Sequence, residues 1–304
     1  MRIFQVISVM SSSSTSLHVF RCDQCPADRD THPQFEIDGY RIVDCQSCGH
    51  RFVENPISAD HVAQVYDDTY FTGGAAGYVD YLSEGKMLRK RGQRYGKLLQ
   101  AHAQPGRMLD VGAAAGFLLQ GFQDAGWTGE GVEPNGSMAR YGNEQLGVKI
   151  THSPVEAFRS EQPFDLVSMI QVIPHFQDLM AGLRVLSDLT KPGGLWLIET
   201  WNKDSRMARF FGKNWHEYCP PSVLHWFTPD SLQRFAGQFG FDKIAQGRPG
   251  KHIQAHHAKS LVRYKLEGSP LATPARLMMR VIPDQLTIPY PAEDLFYMVL
   301  RKRV

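Results

Sequence analysis

Three features of the sequence predict an α/β protein built on a doubly wound parallel sheet. The apolar run at 108–111 reads as a strand that ends in the small-residue turn Gly112-Ala113-Ala114-Ala115-Gly116 and opens a helix at Phe117. A second short strand ends in an acid, Glu133, 23 positions after Asp110. Beyond it, apolar runs of strand length alternate with helical patterns over short loops, as successive strand–helix units do when they lie side by side in a parallel sheet.

The elements follow in order. Residues 86–104 read as an amphipathic helix, with Met87, Tyr95, Leu98 and Leu99 partly on one face, stopped by Pro105-Gly106. Strands are expected at 107–112, 129–133, 148–151, 164–170 and 194–200, with helices at 116–126, 136–146 and 177–190. Thr228-Pro229-Asp230-Ser231 starts a further helix, with a hydroxyl N-cap and proline at the first helical position. Residues 240–245 and 295–301 read as the last two strands, which makes about 250–288 an insertion rich in His and Arg. His252 and His256 have helical spacing there with His257 beside them, but no neighbouring acid or cysteine completes a metal set, so they read as a solvated or packed face.

Composition narrows the class. At 304 residues the chain is long enough for one large domain with appendages, and 42% hydrophobic against 21% charged residues is that of an ordinary globular protein. A formal charge of +2 implies no strong field for nucleic acid or a membrane surface. No apolar run approaches the ~18 residues of a membrane span. Residues 1–17 are expected to be a disordered N-terminus. The apolar 3–10 runs into four serines and not into a small-residue cleavage site, and Met10 is an alternative initiator. The location expected is cytoplasmic.

Four of the five cysteines, Cys22, Cys25, Cys45 and Cys48, form two C-x2-C pairs separated by 19 residues. That is the spacing of a four-thiolate zinc site, each pair on a tight knuckle and the hairpin between them bringing the pairs together. The disulfide alternative requires an oxidising compartment. Four thiolates leave no open coordination position, so the expected role of zinc is structural. The ribbon spans 18–55, a linker and cap with Tyr66, Tyr70 and a glycine-rich patch span 56–104, and the sheet domain spans 105–304. Cys219 reads as a buried small residue.

The turn at 112–116 has no middle glycine for a pyrophosphate, and no Gly-Lys-Ser/Thr marks a P-loop. Asp110-x-Gly112-x-x-x-Gly116 instead resembles the first motif of class I S-adenosylmethionine-dependent methyltransferases. The order of matches continues with Phe164-Asp165-Leu166-Val167-Ser168-Met169 as the fourth strand and Lys191-Pro192-Gly193-Gly194 before the fifth, so the resemblance covers roughly 88 to 245. It implies a seven-stranded Rossmann-like methyltransferase sheet, preceded here by the small zinc-ribbon domain, with the last two strands antiparallel at the edge. It also implies S-adenosylmethionine as cofactor and S-adenosylhomocysteine as product. Asp110, Gly112, Ala113, Gly116 and Phe117 would lie at its amino-acid and sulfonium portion, Glu133 and Pro134 at the ribose, and Gln171 at the methionine side. The adenine contact falls among Ser153, Val155 and Glu156.

Methyl transfer is an in-line displacement on an already activated donor, so a base is needed only where the acceptor must lose a proton. Two histidines suit that role by resemblance. His175 follows the fourth strand in a segment similar to the family's acid–histidine pair, with Pro174 in the acid's place; its alternative role is to cap the next helix. His225 matches the histidine of the loop that covers the acceptor and is the better base candidate of the two, its alternative role being a hydrogen bond within that loop; His216 is a lesser candidate. Tyr70, with Tyr66, stands where related enzymes place a cap over the donor, or simply packs the cap on the sheet. A four-cysteine ribbon on this fold resembles bacterial biosynthetic methyltransferases, including sugar C-methyltransferases. Leu224 replaces a glutamate of that subgroup, and its further C-terminal domain has no counterpart after the apparent seventh strand. Both departures favour O- or N-methylation of another small-molecule acceptor. The alternatives are RNA or protein methylation with the ribbon as reader, or a non-catalytic cofactor-binding scaffold. Ser168-Met169-Ile170-Gln171 carries no flipped-base motif, and the near-neutral charge argues against nucleic acid. Oligomeric state is left open.

Overall fold

The protein is described here from a computed structural model that covers residues 17–18, 31–58, 60–72, 80–250, 252–255 and 293–304, with short pieces at 259, 274, 278–279, 281–283 and 286–289. After the two-residue strand Leu17–His18 come three antiparallel strands: β1 (Thr31–Ile37), β2 (Tyr40–Cys45) and β3 (Arg51–Val53). Short helices α1 (His61–Val65) and α2 (Asp68–Thr72) and the long α3 (Gly85–Leu99) lead into the sheet domain. The domain then runs β4 (Arg107–Val111), α4 (Phe117–Asp124), β5 (Thr128–Glu133), α5 (Gly136–Tyr141), β6 (Ile150–His152), β7 (Phe164–Ile170), α6 (Leu179–Asp188) and β8 (Thr190–Trp201). It closes with α7 (Arg206–Phe211), β9 (His225–Trp226), α8 (Pro229–Gly237), β10 (Phe241–Gly247) and β11 (Leu295–Lys302).

Seven strands form one sheet in the order β10-β11-β8-β7-β4-β5-β6. Pairings β6–β5, β5–β4, β4–β7 and β7–β8 are parallel, while β11 runs antiparallel to both β8 and β10. Side-chain alternation explains why the sheet is covered twice. Along β8, Leu195 and Leu197 enter one apolar cluster with Tyr95, Leu99, Leu119 and Trp127 of α3, α4 and the loop beyond. Trp196 and Ile198 enter the opposite one with Leu183 and Leu186 of α6 and Phe235 of α8. Trp196 stacks on Phe241 with ring centroids 3.7 Å apart. Thr228 caps α8 as its sequence predicts, its hydroxyl accepting from the Ser231 N–H and Ser231 returning the bond to the Thr228 N–H.

Several boundaries differ from expectation. The expected helix 136–146 is α5 followed by a π turn over Gly142–Leu146, and the fifth strand runs at both ends beyond 194–200. His252 lies in a short strand, His252–Gln254, paired with Thr287–Pro289, which corrects the helical spacing read there. His256 and His257 lie outside the described residues.

The N-terminal strands are not a separate bead. β3 pairs with β9, Phe52 opposite His225, so a four-stranded sheet β9-β3-β2-β1 includes a strand from the far half of the chain. Val43, Cys45, Cys48 and Phe52 belong to the same apolar cluster as Leu232 and Phe235, and an Arg234 guanidinium N–H donates to the Cys48 carbonyl. The expected ribbon therefore shares a core with the sheet domain.

Candidate functional site

The loop after β4 is built on its backbone. Gly112 and Gly116 have φ of +63° and +86°, a region that costs glycine little. A Cβ on Gly112 would lie 2.6 Å from the Val172 side chain. The Gly112 and Ala113 N–H groups both donate to the Val132 carbonyl at 2.9 and 3.1 Å. Ala114 also has positive φ, +46°, a conformation that costs an L residue about 1–2 kcal/mol. Its N–H donates to Glu133 Oε2 at 2.8 Å, and the Asn135 N–H donates to Oε1 at 2.8 Å. Glu133 thus clasps the loop to the start of α5, and its remaining lone pairs can take further donors. Asn135 itself caps α5, accepting from the Met138 N–H at 2.8 Å.

Asp110 and Glu133 are 1% and 3% exposed. Asp110 Oδ1 accepts from the Ser168 hydroxyl at 2.6 Å; Oδ2 is buried with no partner among the described residues. Burial raises Asp110 to about 7 against the pull of Ser168, and burial raises Glu133 to about 7 against its two backbone bonds, with Asp110 adding to the rise. Two buried carboxyls that act on each other electrostatically, one with an oxygen unpaired among the described residues, thus stand behind the loop.

The cap closes over this loop. Asn135 Nδ2 donates to the Tyr66 carbonyl and to Asp68 Oδ1 at 3.0 and 3.1 Å, and the Ser137 hydroxyl donates to Asp68 Oδ2 at 3.0 Å. Phe71 and Tyr81 pack in one cluster with Ala114, Ala115 and Phe117. The Tyr66 hydroxyl donates to the Ser222 carbonyl at 2.5 Å, and the ring stands edge-on to Tyr70 at 5.0 Å and to His175 at 5.7 Å. His175 Nδ1 lies 2.7 Å from the same Ser222 carbonyl. A carbonyl only accepts, so Nδ1 carries the proton and Nε2 keeps its lone pair. Burial lowers the His175 pKa, partly opposed by the Ser222 bond. Glu133 is among the groups that raise the Tyr66 pKa after burial and Tyr70, which links the cap tyrosine electrostatically to the loop carboxylate.

The structure brings Asp110, Gly112, Ala113, Gly116, Phe117, Glu133 and Pro134 together at the carboxyl ends of β4 and β5, with Tyr66, Tyr70 and His175 on the cap side. His225 stands elsewhere. It is 2% exposed in the β3–β9 pairing, its Nε2 donates to the Phe176 carbonyl at 2.9 Å, and its ring lies 5.2 Å from His50. Gln171, at φ +58°, points its side-chain amide to Glu199 at 3.2 Å. Glu199 was not singled out by the sequence, because it sits inside an apolar strand; the structure shows it fully buried, accepting also from Arg91 and from the Tyr95 hydroxyl of α3. Asn135 had a readable signal, an N-cap residue just after Glu133-Pro134. His216 is exposed, its Nε2 3.2 Å from a Glu217 carboxylate oxygen.

Cys45 and Cys48 are buried on a turn where the Gly49 N–H donates to the Cys45 carbonyl and the Cys45 N–H to the His50 carbonyl, each at 2.9 Å. Cys22 and Cys25 lie outside the described residues. Among the described residues no three His, Cys, Asp or Glu side chains gather as a metal-binding group, and no helix is long and apolar enough to cross a membrane.

Comparison with known proteins matches this architecture. A ubiquinone biosynthesis O-methyltransferase of Dinoroseobacter shibae is 30% identical over 150 residues, 45% of this chain and 60% of the relative. One from Rhodopseudomonas palustris is 35% identical over 139 residues, 42% and 55% of the two chains. The chain thus spans little more than half the length of these curated relatives. The fold is shared with a Burkholderia thailandensis 1,6-didemethyltoxoflavin-N1-methyltransferase solved with bound 1,6-didemethyltoxoflavin and S-adenosylhomocysteine, at 17% identity and a TM-score of 0.50 over 90% of this chain and all of that one. The family model described as a methyltransferase domain matches residues 85–246, more than half of the chain and the whole run from α3 to β10. With its glycine loop, its acid at the end of β5 and its seven-stranded sheet, the chain belongs to the methyltransferase-domain family.

Proposed function

We propose that the chain transfers a methyl group from S-adenosylmethionine to a small-molecule acceptor in a biosynthetic pathway, at oxygen in the first instance. The observation that carries this reading is the partnerless Asp110 Oδ2, buried beside Glu133 behind a loop that only glycine relaxes. A donor with an ammonium group and ribose hydroxyls fits that acceptor set. Asp110 would hold the amino-acid end, and Glu133 would take ribose hydroxyls on its remaining lone pairs. Bound there, S-adenosylmethionine supplies an electrophilic methyl group on a sulfonium. The relatives named as O-methyltransferases support oxygen as the acceptor atom.

His175, in preference to His225, is the base of this reading. Its Nδ1 bond to the Ser222 carbonyl fixes the ring and leaves Nε2 to accept the acceptor's proton, and burial keeps it neutral below the usual histidine range. Tyr66 steadies the same carbonyl, and the cap excludes water from the transfer. In the N-terminal sheet, Cys45 and Cys48 on their tight turn suit one half of a thiolate knuckle. With Cys22 and Cys25 they would hold structural zinc in a reducing, cytoplasmic setting. Metal analysis of purified protein is expected to give one zinc per chain, lost on replacing Cys45 and Cys48.

The deciding experiment incubates the protein with methyl-labelled donor and cell extract and separates metabolites from RNA and protein. Label in a metabolite is expected; label confined to RNA or protein would transfer the activity to a macromolecular acceptor. In parallel, Glu133→Ala is expected to abolish S-adenosylhomocysteine binding by calorimetry in a folded protein, and retained affinity would refute the cofactor assignment.

A further inference from the structure

A cavity of about 200 Å³ lies between α3 and the segment leaving β10, walled by Arg91, Arg94, Tyr95, Arg248, Gly250 and Tyr297 among others. Its charge is unbalanced. Arg91 is matched by Glu199, whose carboxylate is already shared with the Tyr95 hydroxyl and the Gln171 amide. Arg94 and Arg248 are exposed, and neither is in a salt bridge with a described residue. Arg94 follows Arg91 by three positions on α3, a spacing at which like charges repel. The acid nearest in effect to Arg248 is Glu293, across a neighbouring cavity, and its two oxygens accept the Arg206 and Met207 N–H groups of α7 at 3.0 and 3.2 Å.

Arg94 Nη1 stands 3.8 Å from the point a Cβ on Gly250 would occupy, an ordinary contact distance that places the guanidinium beside the Gly250 backbone. Tyr95 and Tyr297 meet edge-on at 5.7 Å and give the cavity an aromatic wall. The Tyr95 phenol is held neutral by burial first and by Glu199 next, so it adds no negative charge.

We propose that this cavity binds a small oxyanion of the phosphate class, either free phosphate or a phosphate ester of a small metabolite, held by Arg94 and Arg248. Guanidinium forks match phosphate oxygens two at a time, and a cavity of this size admits a phosphoryl group with a short organic stem against the tyrosine rings. The site is on the α3 side of Glu199, separate from the loop carboxylates Asp110 and Glu133, and does not depend on the methyl-transfer reading.

The full chain is titrated with inorganic phosphate and with glycerol phosphate at constant ionic strength, following the thermal midpoint. A saturable rise is expected, with affinity weakened about tenfold or more in R94A/R248A, as loss of charge-assisted bonds predicts. S-adenosylhomocysteine affinity of the same double variant is expected to be unchanged, which serves as its folding control. A stronger response to glycerol phosphate identifies an ester as the occupant and an equal response identifies the free anion, and either supports the site. The proposal is overturned by the absence of saturation, by an unchanged response in the double variant, or by competition between phosphate and S-adenosylhomocysteine.

Discussion

Asp110 and Arg51 are both charged residues at or near the core, and the molecule treats them in opposite ways. Arg51, in the seam between the N-terminal strands and the aromatic segment after α7, uses its whole guanidinium. It bonds both Asp44 oxygens at 2.7 and 2.8 Å, the Tyr218 hydroxyl at 2.6 Å and Gln34 at 3.0 Å. Asp110, in the loop after β4, is more deeply buried and leaves one oxygen without a partner. A satisfied network fixes one arrangement of the chain, whereas an unsatisfied buried carboxyl costs folding free energy that a donor group can offset. On the proposed function the seam holds and the loop binds. If the two are independent, a change in one is not felt in the other.

The largest expected effect lies on the cap side of the loop. His175→Phe keeps the ring's bulk but removes the Nε2 lone pair, and is expected to lower kcat by about 10²–10⁴-fold, the usual worth of a positioned base. S-adenosylhomocysteine affinity should stay within experimental error. Because burial lowers the His175 pKa from 6.5, wild-type activity should persist below pH 6.5 and fall only as the ring protonates at a lower pH. A loss of cofactor affinity equal to the loss of rate would make His175 a structural residue of the cap. Next is the seam. Phe52 is buried in the cluster that joins Val43 to Phe235, and Phe52→Ala is expected to cost about 3–5 kcal/mol in urea unfolding. Cofactor affinity measured well below the melting temperature should not move. If it does, seam and loop are one cooperative unit.

The two regions also differ in how far their sequence could be read. The loop is local: Asp110, the glycines at 112 and 116 and Glu133 lie on two successive strands, so spacing alone brings them together once the strands are parallel. The N-cap at Thr228 was legible for the same reason. The seam joins residues 52 and 225, and no short-range pattern states that a histidine in an aromatic run is half of a strand pair. His225 and His175 look alike as sequence; only the Phe176 and Ser222 carbonyls, brought in by folding, distinguish a ring locked in a seam from one with a free edge. Glu199 escaped notice because a single acid in an apolar strand carries no period. Arg91 and Tyr95, which make its burial tolerable, sit 108 and 104 positions away.

Asp110→Asn tests the strain assigned to the loop. Asp110 ionises near 7 in the folded chain against 3.8 for an ordinary aspartate, so the folded state binds the extra proton between those values. The resulting contribution to stability is full below about pH 4 and lost as pH rises through about 7, a swing of about 4 kcal/mol at most. The neutral amide removes that dependence. Asp110→Asn should therefore match wild type near pH 4 and exceed it above pH 7 by denaturant unfolding, while binding S-adenosylhomocysteine about tenfold less tightly through the loss of a charged acceptor. Equal stability at pH 8 would mean that the carboxyl carries no strain and that the open oxygen is not the binding feature.

The smallest effect is expected at Arg51, and it sharpens the contrast most cleanly because it removes geometry without removing charge. Lysine at this position keeps the cation but has no planar fork, so it cannot bond both Asp44 oxygens while also reaching Tyr218 and Gln34. The guanidinium is mostly shielded from water, its side chain 12% exposed, so solvent does not fully replace the lost bonds. Arg51→Lys should cost about 1–2 kcal/mol of unfolding free energy, within the range of charge-assisted hydrogen bonds at a partly buried site. Combined with Tyr218→Phe, the double variant should lose less than the sum of the two, since both remove the same contact. Cofactor affinity should be unaffected in all three proteins. Strict additivity would show that Arg51 and Tyr218 contribute separately, and the seam would then be held by apolar burial around Phe52 and not by its polar network.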